Sequence, residues 1–291
     1  MRKPPGQMAD AHGGWSSRAL VFALLAWLGL LEPGAEARAE EQRLRLPESV
    51  PQGGLVIGEA APGTEIRYSG RQLRLAEDGS FVFGIGRDEP GPAVLQVRFV
   101  DGELLRRELP VVRREWIVER VDGLPAATVD PPPEIAQRIA VEQAAVARAR
   151  VRDDDREDYR GGFLWPAIGR ISGVYGSQRI LNGRPKNPHY GTDIAAATGT
   201  PIAAPAAGIV SFANSDLYLT GGTVLIDHGH GLSSSFLHLS RIEVKLGDPV
   251  IRGQVIGRVG QTGRASGPHL HWGMNWFEVR IDPELLVTPR R

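Results

Sequence analysis

The residues with the clearest chemical potential lie near the C-terminus, in the stretch Gly267-Pro268-His269-Leu270-His271-Trp272. Two histidines two positions apart do not share a helix face, because two helical steps turn the chain through about 200°. On a strand, alternate side chains point to the same side, so His269 and His271 would stand together with Leu270 on the opposite face. The spacing therefore predicts a strand that presents two imidazoles side by side.

A second pair of chemical groups lies upstream, in His189-Tyr190-Gly191-Thr192-Asp193. A spacing of four places His189 and Asp193 on one face of a helix or of a strand. Gly191 between them, with further glycine and proline just before them, argues against a helix, so a strand or a bulged strand is expected. His238 follows, in the alternating run Phe236-Leu237-His238-Leu239-Ser240.

These residues suit a metal centre. A catalytic zinc ion needs three protein ligands and one open position for water. The chain has no cysteine, so histidine and carboxylate must hold any metal. His189, Asp193 and one histidine of the C-terminal pair could supply the ligands. The two remaining histidines could orient water, carry protons or hold an oxyanion. The residues alone leave open which histidine of the pair binds the metal.

The motifs, taken in order, resemble one family. HxGxD, a strand ending in HLS, and GxxGxxxGPHLHW are similar to the zinc peptidases of family M23, the lysostaphin or LytM type, and the resemblance extends over roughly residues 160–285. It implies that zinc is bound by His189, Asp193 and His271, and that His238 and His269 are the catalytic histidines outside the ligand set. It also implies a groove on an antiparallel β-sheet and hydrolysis of peptide bonds in peptidoglycan cross-links or stem peptides.

Two other functions are compatible with parts of the pattern. A relative that has lost zinc could act as a scaffold or activator of another wall hydrolase, but such a protein is expected to lack one or more ligands. The stretches around residues 205–210 and 247–254 resemble the half-barrel of lipoyl and biotinyl carriers. A carrier needs a lysine on an exposed turn, and only Lys245 is near. We interpret that similarity as shared β architecture.

Several further residues are expected to be structural. His228 and His230 lie in the tight turn Asp227–Gly231 between two predicted strands, which favours a structural role over a second metal site. Trp272 is expected to pack and fix its strand. The stretches 178–183 and 214–218 are predicted as loops that wall the groove. Arg179 and Asn182 lie in the first of them, and ordinary loop polarity is favoured over substrate contact.

The chain as a whole is predicted to be all-β. Residues 40–122 indicate a small antiparallel β-sandwich of about seven strands without evident chemistry, although a glycan-binding module remains compatible. Residues 123–160 predict a proline-rich linker with a helix from Pro133 to about Val151, closed by a solvated charge cluster at residues 153–158. Residues 161–291 predict the metallopeptidase domain. Autoinhibition by the N-terminal region is an open hypothesis.

The N-terminus and the charge balance suggest a location. Residues 1–39 predict a signal peptide with an apolar run of 13 residues, short for a membrane span of roughly 20. An uncleaved anchor is the alternative, and it would be the only membrane association. A periplasmic or secreted protein is therefore expected. With 34 basic and 34 acidic residues, no nucleic-acid partner is indicated. A monomer that acts on peptidoglycan peptides is expected.

Overall fold

The computed structural model describes residues 42–123 and 132–289. The predicted signal peptide, and part of the predicted linker, lie outside the described residues. Within the described ranges, no helix is long and apolar enough to cross a membrane. The prediction of a mainly β architecture with antiparallel sheets is confirmed.

The strands and the helix are numbered here in chain order. The strands are β1 Leu44–Arg45, β2 Val50–Pro51, β3 Leu55–Ala60, β4 Glu65–Tyr68, β5 Arg71–Gln72, β6 Ser80–Gly84, β7 Ala93–Arg98, β8 Leu104–Leu109, β9 Val111–Val112, β10 Val118–Val121, β11 Arg170–Gly173, β12 Gln178–Leu181, β13 Arg184–Pro185, β14 Thr192–Ala195, β15 Pro201–Ala203, β16 Gly208–Leu217, β17 Gly221–Asp227, β18 Leu232–Leu239, β19 Arg241–Ile242, β20 Pro249–Val250, β21 Val255–Arg258, β22 His269–Trp276 and β23 Val279–Ile281. Helix α1 spans Pro133–Ala149, and single 3₁₀ turns span Asp158–Gly161 and Pro283–Leu286.

The N-terminal region contains two antiparallel sheets, β1-β3-β6 and β5-β4-β7-β8. Strands β4 and β7 alternate between exposed and buried positions, as expected for strands with one face on a core. Phe81, Ile66 and Leu95 are fully buried between the sheets. These two sheets hold seven strands, as predicted. An added pair, β2 with β9, is parallel and was not predicted, because it joins segments about 60 residues apart that carry no common local pattern.

The C-terminal region is built on one large antiparallel sheet with the order β11-β14-β22-β18-β17-β16-β20, and β23 pairs with the far end of β22. Every residue of β17 is buried. Phe236, Leu270 and Ile226 fill its inner face, and the small sheet β15-β21-β19 covers part of it. This order places β22 between β14 and β18, so the three strands that carry the predicted site are neighbours.

The segment between the two β regions contacts the large C-terminal sheet. Strand β10 pairs in parallel with β12, and helix α1 lies against the outer half of β16. Arg138 of the helix bonds Asp216, and Glu142 accepts the backbone N–H of Tyr218. The helix begins at Pro133, as predicted, and ends at Ala149, two residues before the predicted end. A proline at the first helical position loses no helical hydrogen bond.

The charge cluster after the helix differs from the prediction. Asp155 is exposed, as a solvated cluster requires, but Asp154 and Asp158 form ion pairs with Arg156. Arg156 also pairs with the buried Asp227 at the end of β17. The cluster therefore packs against the large C-terminal sheet. Sequence spacing could not show this, because Asp227 lies about 70 residues away from its partner.

Candidate metal centre

Strands β14 and β22 bring the predicted groups to one face of the sheet. In the antiparallel register Asp193 stands opposite His271, and Ala195 stands opposite His269. Residues directly opposite each other share a face. Leu270 points to the other side and is fully buried. The prediction that one strand presents His269 and His271 together is confirmed.

Three side-chain atoms converge at this point. Nε2 of His189 lies 3.0 Å from Oδ1 of Asp193 and 2.9 Å from Nδ1 of His271. The distance from Nδ1 of His271 to Oδ1 of Asp193 is 2.9 Å. A triangle of this size can have all three corners about 2.0–2.2 Å from one ion above its plane, which matches zinc bound by nitrogen and oxygen. The same three residues form the metal-capable group in the described part of the chain.

His189 does not lie on a strand, contrary to the sequence prediction. It precedes β14, and its backbone is tied to the chain before β12, through His189 N–H to Ser177 O and Gly176 N–H to His189 O. Its Nδ1 lies 3.0 Å from the carbonyl oxygen of Val174. A carbonyl only accepts, so Nδ1 carries the proton. Metal-binding histidines are commonly oriented by such a bond on their other nitrogen.

The chemistry of these atoms fits a cation. In a neutral His189 ring with its proton on Nδ1, Nε2 is an acceptor, and it faces the carboxylate of Asp193 without a proton between them. Burial lowers the pKa of His271 to about 4, so its ring is neutral at pH 7. Two imidazoles and one carboxylate are a zinc ligand set.

His238 and His269 stand beside this group and are oriented in the same way as each other. Nδ1 of His238 donates to Thr262 O at 2.8 Å, and Nδ1 of His269 donates to Gly267 O at 2.8 Å. The two rings are 4.7 Å apart between centroids, and Nε2 of His269 is 3.8 Å from Oδ1 of Asp193. Burial lowers the pKa of His238. In each ring Nδ1 is therefore held by a backbone carbonyl, and Nε2 is left available on the side of the metal centre.

The backbone at His238 is strained. Its φ is +67°, in the left-handed region that side chains other than glycine rarely adopt. The pairing of β17 with β18 shifts register next to it, and its N–H donates to Thr220 O at 2.8 Å. Such strain costs of order 1–3 kcal/mol and persists only where the surroundings impose it. It turns the ring of His238 out of the strand's alternation and toward His269.

Two glycines allow the strands to approach the centre, and the sequence analysis did not single them out. A Cβ on Gly191 would lie 2.6 Å from Nε2 of His271, and a Cβ on Gly173 would lie 2.5 Å from Oδ2 of Asp193. Both contacts are closer than real Cβ atoms tolerate. Gly191 is the central glycine of HxGxD, so the motif itself held a signal for it. Gly173 is opposite Asp193 on β11, which only the fold reveals.

The two predicted wall loops are strands in the structure. Residues 178–185 form the hairpin β12–β13, and residues 214–217 are the end of β16. Arg179 of the hairpin pairs with Glu119 of β10, so its side chain is engaged by the linker strand. Asn182 is at the hairpin turn with a φ of +48°. Both assignments agree with a structural role for these polar residues.

The histidines of the turn are buried, as a structural role requires. His228 is fully buried, and its ring nitrogens contact Ala207 O and Ser234 Oγ. The ring of His230 packs edge-to-face against Tyr159, and its Nδ1 lies 3.2 Å from the Tyr159 hydroxyl. Trp272 is also fully buried and packs edge-on against Trp165, which confirms its packing role.

Three converging metal-ligand atoms and two oriented histidines, all on one face of an antiparallel sheet, are the arrangement that a metal-dependent hydrolase requires. Comparison with known proteins agrees. Residues 187–283 match the model of peptidase family M23. A crystal structure from Pseudomonas aeruginosa assigned to peptidase M23 is 32% identical, with a TM-score of 0.64 over 82% of this chain and 95% of that one. This chain belongs to peptidase family M23.

Curated relatives match a shorter stretch. Peptidoglycan DD-endopeptidase ShyA of Vibrio cholerae is 47% identical over 29% of this chain and 20% of its own length. ShyC of the same organism, also named as a peptidoglycan DD-endopeptidase, is 40% identical over 42% of this chain and 28% of its own. DD-carboxypeptidase/endopeptidase Mpg of Neisseria meningitidis is 43% identical over 45% and 30%. The chain thus spans less than a third of the length of these relatives.

Proposed function

We propose that this protein is a zinc-dependent endopeptidase that cleaves peptide bonds in the cross-links or stem peptides of peptidoglycan, in the periplasm or outside the cell, during cell-wall remodelling. The convergence of His189, Asp193 and His271 within 3.0 Å carries the proposal. The names of ShyA, ShyC and Mpg support the substrate class. We further propose that it acts as a monomer and that the substrate peptide lies along the exposed face of the large sheet.

Within this proposal the five residues have separate roles. His189, Asp193 and His271 would hold zinc, which supplies a Lewis acid and lowers the pKa of water to about 7. His238 and His269 keep Nε2 directed at the cleft because their Nδ1 protons are bound to backbone carbonyls. One Nε2 accepts a proton from the attacking water. The other, when protonated, donates to the oxygen that gains charge or to the leaving nitrogen.

A scaffold without catalysis is a weaker explanation of the same site. A scaffold needs neither three converging ligand atoms nor a strained backbone at a fourth histidine. We therefore retain catalysis as the proposed function.

The test combines metal analysis with digestion of purified peptidoglycan. Wild type should bind one zinc ion per chain and release muropeptides. His271→Ala should lose zinc and activity together. His269→Ala should keep zinc and lose about 100-fold or more in rate, the range for a general acid or base. Wild type that binds no zinc after reconstitution, or His271→Ala that digests at an unchanged rate, would overturn the proposal.

A further inference from the structure

A pocket with both polar and apolar walls lies between helix α1 and the large C-terminal sheet. Its volume is about 400 Å³, and its walls include Arg150, Asn187, Thr220, Leu237 and Arg280. Leu237 stands opposite His271 in the register of β18 and β22, so the pocket uses the sheet face that carries the metal centre. Asn187 lies two residues before His189, and Thr220 O accepts the N–H of His238. The pocket therefore adjoins the candidate active site.

The register also gives the distance between the two sites. Asn275 lies four residues after His271 on β22, on the same face. Arg280 stands opposite Asn275 on β23, and its Nη1 donates to Asn275 Oδ1 at 3.3 Å. At about 3.3 Å per strand residue, Arg280 lies roughly 13 Å from the metal centre. An extended peptide covers that distance in about four residues.

The pocket contains positive charge without a matching acid. The Nε of Arg150 is buried and has no hydrogen-bond partner among the described residues. Burial lowers the pKa of Arg150 to about 9, and the nearby Arg280 adds to this effect, so Arg150 is still charged at pH 7. Burial also lowers the pKa of Arg280. Glu142 is the acidic residue of the lining. Its carboxylate already accepts bonds from Arg138 Nε at 2.7 Å and Tyr218 N at 2.8 Å.

We propose that Arg150 and Arg280 form a subsite for a carboxylate of the substrate peptide, about four residues from the bond that is cut. The inference rests on the proposed function and adds a specificity determinant to it. A guanidinium group matches a carboxylate in shape and binds it with two parallel hydrogen bonds. A buried Nε without an acceptor is costly, so a carboxylate that fills the pocket recovers that energy.

The test measures discrimination and not rate alone. Synthetic cross-linked peptides are prepared with each free carboxyl converted to a carboxamide in turn. For wild type, one of these amidations should lower kcat/KM by about tenfold or more, as expected for a charge-assisted bond. In Arg150→Gln and in Arg280→Gln the same amidation should change kcat/KM less than about twofold. Arg148→Gln, on an exposed residue of the same helix, should discriminate like wild type.

Each outcome of this test either supports or overturns the carboxylate subsite. Equal kcat/KM for all peptides with wild type, or discrimination that survives in both glutamine variants, would overturn the subsite. Binding of inorganic phosphate that Arg150→Gln abolishes, without any effect of amidation, would make the pocket a free-anion site and also overturn it. Zinc content and melting temperature of each variant control for folding.

Failure of the proposed function has a separate signature. If zinc-loaded wild type cuts none of the peptides, the endopeptidase proposal fails. The subsite is then decided by calorimetry, in which wild type should bind the free-acid peptide about tenfold more tightly than its amide, and Arg150→Gln should not. Equal affinity for both peptides would reject it.

Discussion

The two ends of the β17–β18 hairpin both carry buried histidines, but they use them differently. At the turn, the ring nitrogens of His228 contact Ala207 O and Ser234 Oγ, so the fold itself satisfies the ring. At the other end, His238 fixes Nδ1 on Thr262 O and keeps Nε2 beside His269. Strand β18 thus connects a turn whose histidine ring is fully hydrogen-bonded within the fold with a histidine whose Nε2 is available to a ligand.

The difference shows which property separates a structural histidine from a functional one. Burial does not, because His228, His238 and His271 are all largely buried. The property that separates the two kinds of histidine is the partner of the second ring nitrogen. In the turn that partner is a hydroxyl, whereas at the metal centre Nε2 of His189 faces Asp193 and Nδ1 of His271, two atoms that could share a cation. These ligand atoms therefore lack a favourable partner in the protein alone, and a bound metal ion would supply one.

The largest expected effect tests this contrast with one alanine at the metal centre and one at the turn. His189→Ala should lose zinc and lower activity by about 100-fold or more, because even indirect partners of a metal ligand are worth roughly 10–100-fold. Its unfolding free energy without metal should change by no more than about 1 kcal/mol, one lost hydrogen bond. His228→Ala should lose about 2–4 kcal/mol, from a cavity and unpaired polar groups, and keep its zinc.

Zinc analysis, peptidoglycan digestion and urea unfolding in a chelator give the three measurements. Metal content is compared at a temperature where both variants are folded. If His228→Ala lost zinc while folded, or if His189→Ala were the less stable variant without metal, the turn and the metal centre would not differ as we describe.

The next effect concerns pH. Burial lowers the pKa of His228 to about 4, against about 6.5 in the unfolded chain. Between these values the unfolded chain binds more protons, so this contribution to stability is complete above pH 6.5 and is lost as pH falls to 4. The loss amounts to at most about 3 kcal/mol. His228→Gln should flatten the fall, as measured by urea unfolding of metal-free protein across that range. An identical slope in the variant would contradict the assignment.

Local patterns predicted much of both the fold and the site. Alternation located most N-terminal strands, and proline at the helix start located α1. The HxH spacing predicted that His269 and His271 share a face because a strand has a period of two. The resemblance to a known family named all five cleft residues, and the structure brings them together.

Features that depend on distant pairing could not be read from the sequence. His189 is held by Ser177 and Val174, and no spacing rule predicts that loop. The φ of +67° at His238 arises from a register shift between strands. Arg150 and Arg280 are 130 residues apart, and each on its own looks like an ordinary charged residue. They become a pair only when α1 packs over the sheet.

The smallest expected effect concerns the contact between the N-terminal sheets and the charge cluster at residues 153–158, which packs against the turn Asp227–Gly231. Arg74 Nε donates to Asp153 at 2.9 Å, and Arg74 also contacts Asp155, whose side chain is 90% exposed. Exposed ion pairs contribute about 0–1 kcal/mol and are screened by salt. Arg74→Ala should therefore lose at most about 1 kcal/mol, with less loss at 1 M salt, and keep its zinc and activity.

The control for this variant is Arg45→Ala, which breaks an exposed pair with Glu59 within the N-terminal sheet. Both variants should lose similar small amounts of stability in urea unfolding if the turn is self-sufficient. A loss above about 3 kcal/mol in Arg74→Ala alone would mean that the turn depends on the N-terminal sheets. In that case His228 and His230 would belong to an interface between the two β regions. The hydrogen bonds that satisfy the ring of His228 would then depend on the N-terminal sheets and not on the hairpin alone.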